Sequence, residues 1–549
     1  VRKLLLILLV LIPIQAIAST SYYFDPTAAG GGNGSYATPW NSMSQVSSHS
    51  FSTGDDLYFK KNETYQLQSD TDYLDVDWGG TESDPVVIGC YDGDGDFDCG
   101  STPYVDGNRA IIDGQKSYPT INYRALVQTN GQSHIIIQQL KLENAGITGT
   151  QAAGAVYINP DSVSQSTDIT IKNNYCYRNS GGIGVYRSTN CLVTENYETN
   201  VGYPDYGGSG AAIEISSLDH LGDCNNNTVS KNLIENCKNE GIGFYKGAEN
   251  NIMEYNVVRN IRAAHLYVAS SPSNTVRYNL VYDTSDGLFT QDGTSSSGIV
   301  VDIEEWRDAK AFNTNDEKIY GNLVAGVRRG ISIGCIEATD GDSYTSTCYD
   351  GSEVFNNTIV DCTDQNFAFW AADSSRTITL KNNLSVILSG GAQVFCASTT
   401  GTCPSQTSPA GVTWDHNLFN TTVTGNASNN AVIGDPLLAK TSGWQWSSLS
   451  PGDLSGPEFK PQSGSPAIDA GLNIAGYTSQ ITGANFNASP ISVTLTDYPD
   501  GPVWIGAWNI TPTPPPTPAP ATQHTGVGYD PHGGGIGYNP NGGTIGATQ

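Results

Sequence analysis

Four carboxylates and one histidine have types and spacings suited to proton transfer: Glu214, Asp302, Glu304, Glu305 and His265. Two carboxyl groups that flank a glycosidic bond can serve as acid and base, or as acid and nucleophile. Asp302 and Glu304 stand two residues apart, and on one strand this places both on one face with Cα atoms about 6–7 Å apart. They are the preferred acid–base pair, with Glu305 in reserve and His265 placed to assist. Nearby the chain supplies rings and cations: Tyr186, Tyr245, Tyr267, Tyr203, Tyr206, Lys246 and Arg187. Tyrosine rings stack on the C–H faces of sugars. Lys246 or Arg187 would instead serve as the base of a β-elimination. A separate run, Tyr91-Asp-Gly-Asp-Gly-Asp-Phe-Asp98, alternates carboxylates with glycines. Asp92, Asp94, Asp96 and Asp98 therefore suit a structural Ca2+, which takes hard oxygen ligands on tight turns. No distal glutamate completes an EF-hand, so a solvated acidic turn stays open as the other reading.

The elements that position these residues repeat. A phrase of apolar–polar alternation followed by Asn ends at Asn174, Asn196, Asn232, Asn256, Asn279, Asn322, Asn357 and Asn383. Its closest spacings are 22, 23 and 24 residues. A period in the low twenties, made of short strands and Asn/Gly turns, is that of a solenoid whose coils bury their apolar faces by stacking. An asparagine amide can bond the same group one coil away, at the ~4.8 Å strand spacing, and tolerates a left-handed turn. Aligning a later strand of each coil on its leading small residue gives Gly182–Tyr186, Gly210–Glu214, Gly241–Tyr245, Ala263–Tyr267, Gly298–Asp302 and Gly330–Gly334. In that register Tyr186, Glu214, Tyr245, Tyr267, Asp302 and Gly334 form one solvent-facing row, with His265 and Glu304 on the same face. Glu214 and Asp302 are then three coils and about 14 Å apart, too far for a direct pair. Insertions at 200–209 and 284–297 could wall a cleft over the row.

Beyond the repeat, Tyr22-Tyr-Phe-Asp-Pro26, Gly31-Gly-Asn-Gly34, Thr38-Pro-Trp40 and Thr53-Gly-Asp-Asp-Leu-Tyr-Phe59 resemble the entry of secreted bacterial right-handed parallel β-helix proteins related to pectate lyases. Gly434-Asp-Pro-Leu-Leu438, Ser465-Pro-Ala-Ile-Asp-Ala-Gly471 and Trp504-Ile-Gly-Ala-Trp508 resemble their closing segments. The resemblance spans roughly residues 20 to 510. It implies an all-β, right-handed parallel β-helix in an extracellular setting. It implies no particular reaction, because the fold hosts lyases, hydrolases, epimerases and adhesins. The Asp-rich signatures of the polygalacturonase group are not matched.

Composition narrows the partners. Lys and Arg number 26 against 54 acidic residues, a formal charge of −28, which disfavours nucleic acid and anionic membranes. Residues 1–18 have the basic start, short apolar run and Ala-x-Ala-like end of a secretory signal. A cap and first coils are expected over 19–125, the β-helix body over 126–440 and a closing segment over 441–510. A Pro-rich linker follows over 511–525, and a Gly- and Tyr-rich repeat tail over 526–549 suits surface attachment or is inert. Eleven cysteines in an exported chain suggest local disulfides: 90–99, 176–191, 224–237, 335–348 and 396–403, leaving Cys362 over. The expected protein is an extracellular polysaccharide-active enzyme, preferably a glycoside hydrolase working through paired carboxylates, without membrane insertion. A polysaccharide lyase and a non-catalytic glycan-binding surface protein are the alternatives.

Overall fold

The computed structural model describes residues 19–93, 97, 99, 109–119, 124–146, 153–160, 164–202, 211–217, 222–284, 296–303, 314–334, 349–370, 377–388, 390–398, 401–402, 411–438 and 465–466. Two compact units divide the chain, Val1–Thr511 and Pro512–Gln549, and every described residue lies in the first. The leader at 1–18, the linker and the tail fall outside the described residues.

Short strands alternate inward apolar with outward polar positions, and the chain turns a corner after each. Among the described residues three long sheets result, of 13, 13 and 12 strands, beside a two-stranded one of Ser166–Thr167 and Ser188–Thr189. The first runs from Ser21–Phe24 to Val412–Asp415, and the second from Thr64–Gln66 to Val432–Ile433. The third runs from Leu74–Val76 to Ala392–Ser398, where Gly401–Thr402 folds back as an antiparallel edge. Each turn of chain adds a parallel strand to each sheet in the order first, second, third. This is a right-handed parallel β-helix, the hand that right-twisted strands favour for parallel crossovers. Its lumen is filled by stacked side chains such as Leu142, Ile234, Val258, Val281 and Val324 on the second sheet, all buried.

The corner between the first and second sheets carries the repeated asparagine. Asn174, Asn196, Asn232, Asn256, Asn279, Asn322, Asn357 and Asn383 are all buried, and Asn417 extends the column by one coil. In each step the upper Oδ1 accepts from the backbone N–H and Nδ2 of the asparagine below. Asn232 on Asn256, for example, gives 3.0 Å for both bonds. The left-handed turn falls one residue earlier than the sequence suggests, on Asn173, Glu195, Lys231, Tyr255 and Tyr278, with φ between 53° and 58°. The preceding residue bends the chain, and the asparagine closes the bend. A second column at the corner between the third and first sheets escaped the sequence pattern: Asn227, Asn251 and Asn274, linked at 2.8 and 2.9 Å, then Glu317.

The expected disulfides need correction. Cys90–Cys99 is bonded, and Cys396 is disulfide-bonded. Cys176, Cys191, Cys224 and Cys237 are instead free and buried, as is Cys362. Sequence proximity misleads here because a whole sheet lies between each supposed pair. Cys176 points into the lumen from the second sheet, whereas Cys191 opens the next strand of the first.

Candidate active site on the third sheet

Register decides what the third sheet presents. Ile183–Tyr186 pairs with Ile213–Ser216 so that Gly184 faces Glu214 and Tyr186 faces Ser216. The next pairings set Glu214 opposite Gly243 and Ser216 opposite Tyr245, then Gly243 opposite Tyr267 and Tyr245 opposite Ala269. Asp302 stands opposite Ala269. The single row expected from the leading small residues is therefore two rows offset by two residues. Tyr157, Gly184, Glu214, Gly243, Tyr267, Val300 and Ser332 make one; Tyr186, Ser216, Tyr245, Ala269 and Asp302 make the other. Gly182, Gly241, Gly298 and Gly330 do share one register position at the sheet corner, but Ala212 and His265 hold it in the two other coils, so aligning on Gly210 and Ala263 shifted Glu214 and Tyr267 by two residues.

The glycines inside the rows matter more. A Cβ on Gly184 would lie 2.5 Å from the Tyr186 hydroxyl, and one on Gly243 would lie 2.1 Å from the Tyr245 ring. Each tyrosine ring thus lies back along its own strand over a bare backbone. Glu214, half-buried, stands in register between Gly184 and Gly243, the two glycines that these rings cover, and the Tyr186 hydroxyl donates to its Oε2 at 3.4 Å. Burial pushes the Glu214 carboxyl above the usual carboxylate range, and the Lys246 charge and the Tyr186 and Ser216 hydrogen bonds only partly offset that. Lys246 follows the strand Ile242–Tyr245 in a left-handed turn of φ 54°, half-buried, with its charge acting on Glu214.

The other expected residues fare differently. Tyr186 and Tyr267 are 2% and 5% exposed and cannot offer open faces to a sugar, while Tyr245 is half-buried. Tyr245 and Tyr267 meet edge-on at 5.6 Å. Arg187 turns away to Asp223, with Nε 3.0 Å from Oδ2. His265 does not join the outward face: it is fully buried, with Nδ1 2.9 Å from the Ser297 carbonyl and Nε2 2.9 Å from Asp283 Oδ1. The Ser296 hydroxyl donates to the other oxygen of Asp283. These bonds lock the ring inside the corner, so the assisting role expected for it is withdrawn. Asp302 is mostly buried and its Oδ1 accepts from the Ile303 N–H at 2.7 Å. Three coils separate it from Glu214, about 14 Å along the axis. Glu304, Glu305, Tyr203 and Tyr206 lie outside the described residues, as do Asp94, Asp96 and Asp98 of the acidic run; Asp92 is described and half-buried. Among the described residues no group of three or more His, Cys, Asp or Glu side chains is arranged to hold a metal ion, and no helix is long and apolar enough to cross a membrane.

The sequence pointed to Glu214 but gave it a secondary place, since nothing in the alternation revealed that two glycine–tyrosine strands would enclose it. The signal lay in Gly184-Val-Tyr186 and Gly243-Phe-Tyr245, a glycine two residues before a tyrosine on the strands either side.

Residues 122–427 match the family model described as "Right handed beta helix region". No curated protein matches the chain in sequence. Similar solved structures include a rhamnogalacturonan lyase at 13% identity, covering 73% of this chain and 87% of that one, with a TM-score of 0.46. Pectate lyase Pel9A is similar at 14% identity, over 90% and 97% of the two chains, with a TM-score of 0.45. PfbA, a surface adhesin of Streptococcus pneumoniae, is similar at 12% identity over 70% and 94%, with a TM-score of 0.47. Such likenesses concern the solenoid alone and give no role to any side chain described above.

Proposed function

This chain belongs to the right-handed β-helix family, and we propose that it is an extracellular polysaccharide-active enzyme whose acid–base centre is Glu214. The observation that carries the reading is one carboxyl bonded by the Tyr186 hydroxyl, in register beside the Gly243 backbone that the Tyr245 ring covers, and acted on by the Lys246 cation. A carboxylate made more basic by burial takes a proton more readily at neutral pH than an ordinary one.

The arrangement suits β-elimination better than hydrolysis. A hydrolase needs a second carboxyl at about 5 Å or about 6.5–9.5 Å, and Asp302 stands three coils away. Elimination from a uronate needs one base and a cation. Glu214 takes the proton α to the sugar carboxylate while the Lys246 ammonium neutralises that carboxylate. The bond to the departing glycosidic oxygen breaks, a C=C bond forms, and the oxygen leaves with a proton returned from Glu214. Placement outside the cell rests on the leader-like residues 1–18, and a Ca2+ at Asp92–Asp98 remains part of the proposal as a structural ion.

The test is to incubate the protein with polygalacturonate, alginate and a set of neutral polysaccharides. Ultraviolet absorbance from an unsaturated sugar is expected on a uronate polymer. Glu214→Gln should reduce it by about 10²–10⁴-fold without moving the melting temperature. New reducing ends without absorbance would replace elimination with hydrolysis. Silence on every glycan would leave a binding protein and end the enzyme reading.

A further inference from the structure

At the N-terminal end of the first sheet, on its outward face, a second aromatic surface stands apart from Glu214. Ser21–Phe24 pairs with Asp56–Lys60, which sets Tyr23 opposite Tyr58, and Tyr58 stands opposite Gly89 on the next strand. Over this floor lie two rings from outside the sheet. Tyr36 meets Tyr23 edge-on at 5.3 Å, and Phe97 lies 4.4 Å from Tyr58 and 6.3 Å from Tyr23. Tyr36 and Phe97 are 44% and 41% exposed, among five large hydrophobics that are exposed in the described residues. The other three, Leu388, Ile433 and Leu437, come from the far end of the solenoid; these two share Tyr23 as a neighbour.

Both exposed rings are held in place. The Tyr36 hydroxyl donates to the Gly93 carbonyl, and Phe97 sits in the loop closed by Cys90–Cys99. Little side-chain entropy is therefore left to lose when a ligand covers them. Phe97 is also misplaced for a folding role, as an apolar residue within an acidic run that leaves its ring in water. The rim is polar and negative. Asp56 bonds the Tyr58 hydroxyl at 3.2 Å, and Lys60, the cation beside the patch, is already held by Asp25 at 2.7 Å with Glu63 close by.

We propose that Tyr36 and Phe97, backed by Tyr23 and Tyr58, form an ancillary binding platform for an uncharged polysaccharide. Pyranose C–H faces stack on such rings, and carboxylates at the rim accept bonds from sugar hydroxyls. A uronate polymer is disfavoured there, because the local cation is paired and the chain carries a net charge of −28. The platform does not depend on the reading of Glu214. It would anchor the protein on a neutral glycan while the third sheet acts on a different, charged one.

Retention of the full chain on insoluble xylan, mannan and amorphous cellulose tests this. At least one should retain the wild-type protein, and soluble oligosaccharides of the same glycan should release it. Tyr36→Ala and Phe97→Ala, singly and together, should weaken retention at least tenfold, whereas Phe97→Trp should keep it and Glu214→Gln should not affect it. Tyr36→Ala removes an exposed ring and keeps the test valid if the double variant melts early. Absence of retention on all three glycans would overturn the proposal, as would retention unmoved by Tyr36→Ala and Phe97→Ala. A concentration-dependent dimer in sedimentation that Phe97→Ala breaks would also overturn it, assigning the patch to a second copy of the chain.

Discussion

The corner between the first and second sheets and the outward face of the third belong to the same coils, yet they are built on opposite plans. At the corner one side chain recurs from Asn174 to Asn417, offering an acceptor to the coil before it and donors to its neighbours. Every coil there meets a copy of itself, so the interaction is self-complementary and extends without a set length. On the third sheet no two successive coils carry the same residue along a row: Tyr157, Gly184, Glu214, Gly243, Tyr267, Val300 and Ser332 stand in line. Uniformity carries the fold, while variety makes a local environment such as the one around Glu214. A damaged corner should therefore cost the whole solenoid stability, and a damaged face should change chemistry first.

The sharpest way to break that contrast is Asn256→Ala. The Asn256 side chain accepts from Asn232 N–H and Nδ2, and donates to the Val229 carbonyl at 2.9 Å and to Asn279 Oδ1 at 3.0 Å. All these partners are buried, so deletion loses the bonds and strands their groups away from water. The expected loss is about 3–5 kcal/mol, read from denaturant unfolding. A loss below about 1 kcal/mol would mean that water or backbone shifts replace the column, and the corner would not be the seat of stability.

A smaller effect is expected on the face. Gly243→Ala puts a Cβ 2.1 Å from the Tyr245 ring, and the ring must lift from its strand. Destabilisation of about 1–3 kcal/mol follows from overpacking. Lifting the ring also opens one side of Glu214 to water, so any activity should change its pH profile as that carboxyl returns toward its ordinary range. A Gly243→Ala protein with unchanged stability and pH profile would show that Tyr245 does not enclose Glu214.

This contrast also explains what was legible in the sequence. The period, the stacking of coils and eight of the corner asparagines could be read because the same phrase recurs and recurrence needs no knowledge of neighbours. Asn417 follows Val412–Asp415 and precedes the two-residue strand Leu418–Phe419, and escaped the pattern. The face could be assigned to one side of the strands, but its register only in part. Gly182, Gly241 and Gly298 mark it correctly because corner packing selects glycine there: a Cβ on Gly241 would lie 2.5 Å from the His265 carbonyl. Gly210 and Ala263 look like the same mark but stand two residues before Ala212 and His265, which hold that position. Alternation also fails at a corner, which is why His265 was expected in solvent and is buried on Asp283. Cysteine spacing misled for a related reason, since neighbours in a solenoid are about one coil apart in sequence rather than about a dozen residues.

The smallest expected effect tests the corner rule from inside. Glu317 takes an asparagine's place in the second column. Its Oε2 accepts from the Asn274 N–H at 3.0 Å, its own N–H donates to the Ser352 hydroxyl, and Oε1 has no hydrogen-bond partner. A protonated carboxyl resembles the amide it replaces, with one oxygen to accept and one hydroxyl to donate, whereas a carboxylate can only accept. Burial pushes the Glu317 carboxyl well above its usual range, with the Asp316 charge adding to the shift and the Asn274 bonds opposing it. Glu198, buried in the lumen beside Cys176, is shifted the same way, again chiefly by burial. A carboxyl raised on folding favours the folded state fully below its unfolded value of about 4.3. That contribution is lost as pH rises from there through the folded value. Asp25 and Asp415 are lowered and act in the opposite sense, below about pH 4. Stability should therefore decline from pH 5 toward pH 8. Glu317→Gln, which supplies a donor at every pH, should flatten part of that decline and raise stability at pH 8 by about 1–2 kcal/mol. Denaturant unfolding of both proteins at pH 5 and pH 8 measures this. If the variant is less stable at pH 8, or the slope with pH is unchanged, then Glu317 is not an asparagine surrogate and the second column tolerates a buried charge that the first excludes.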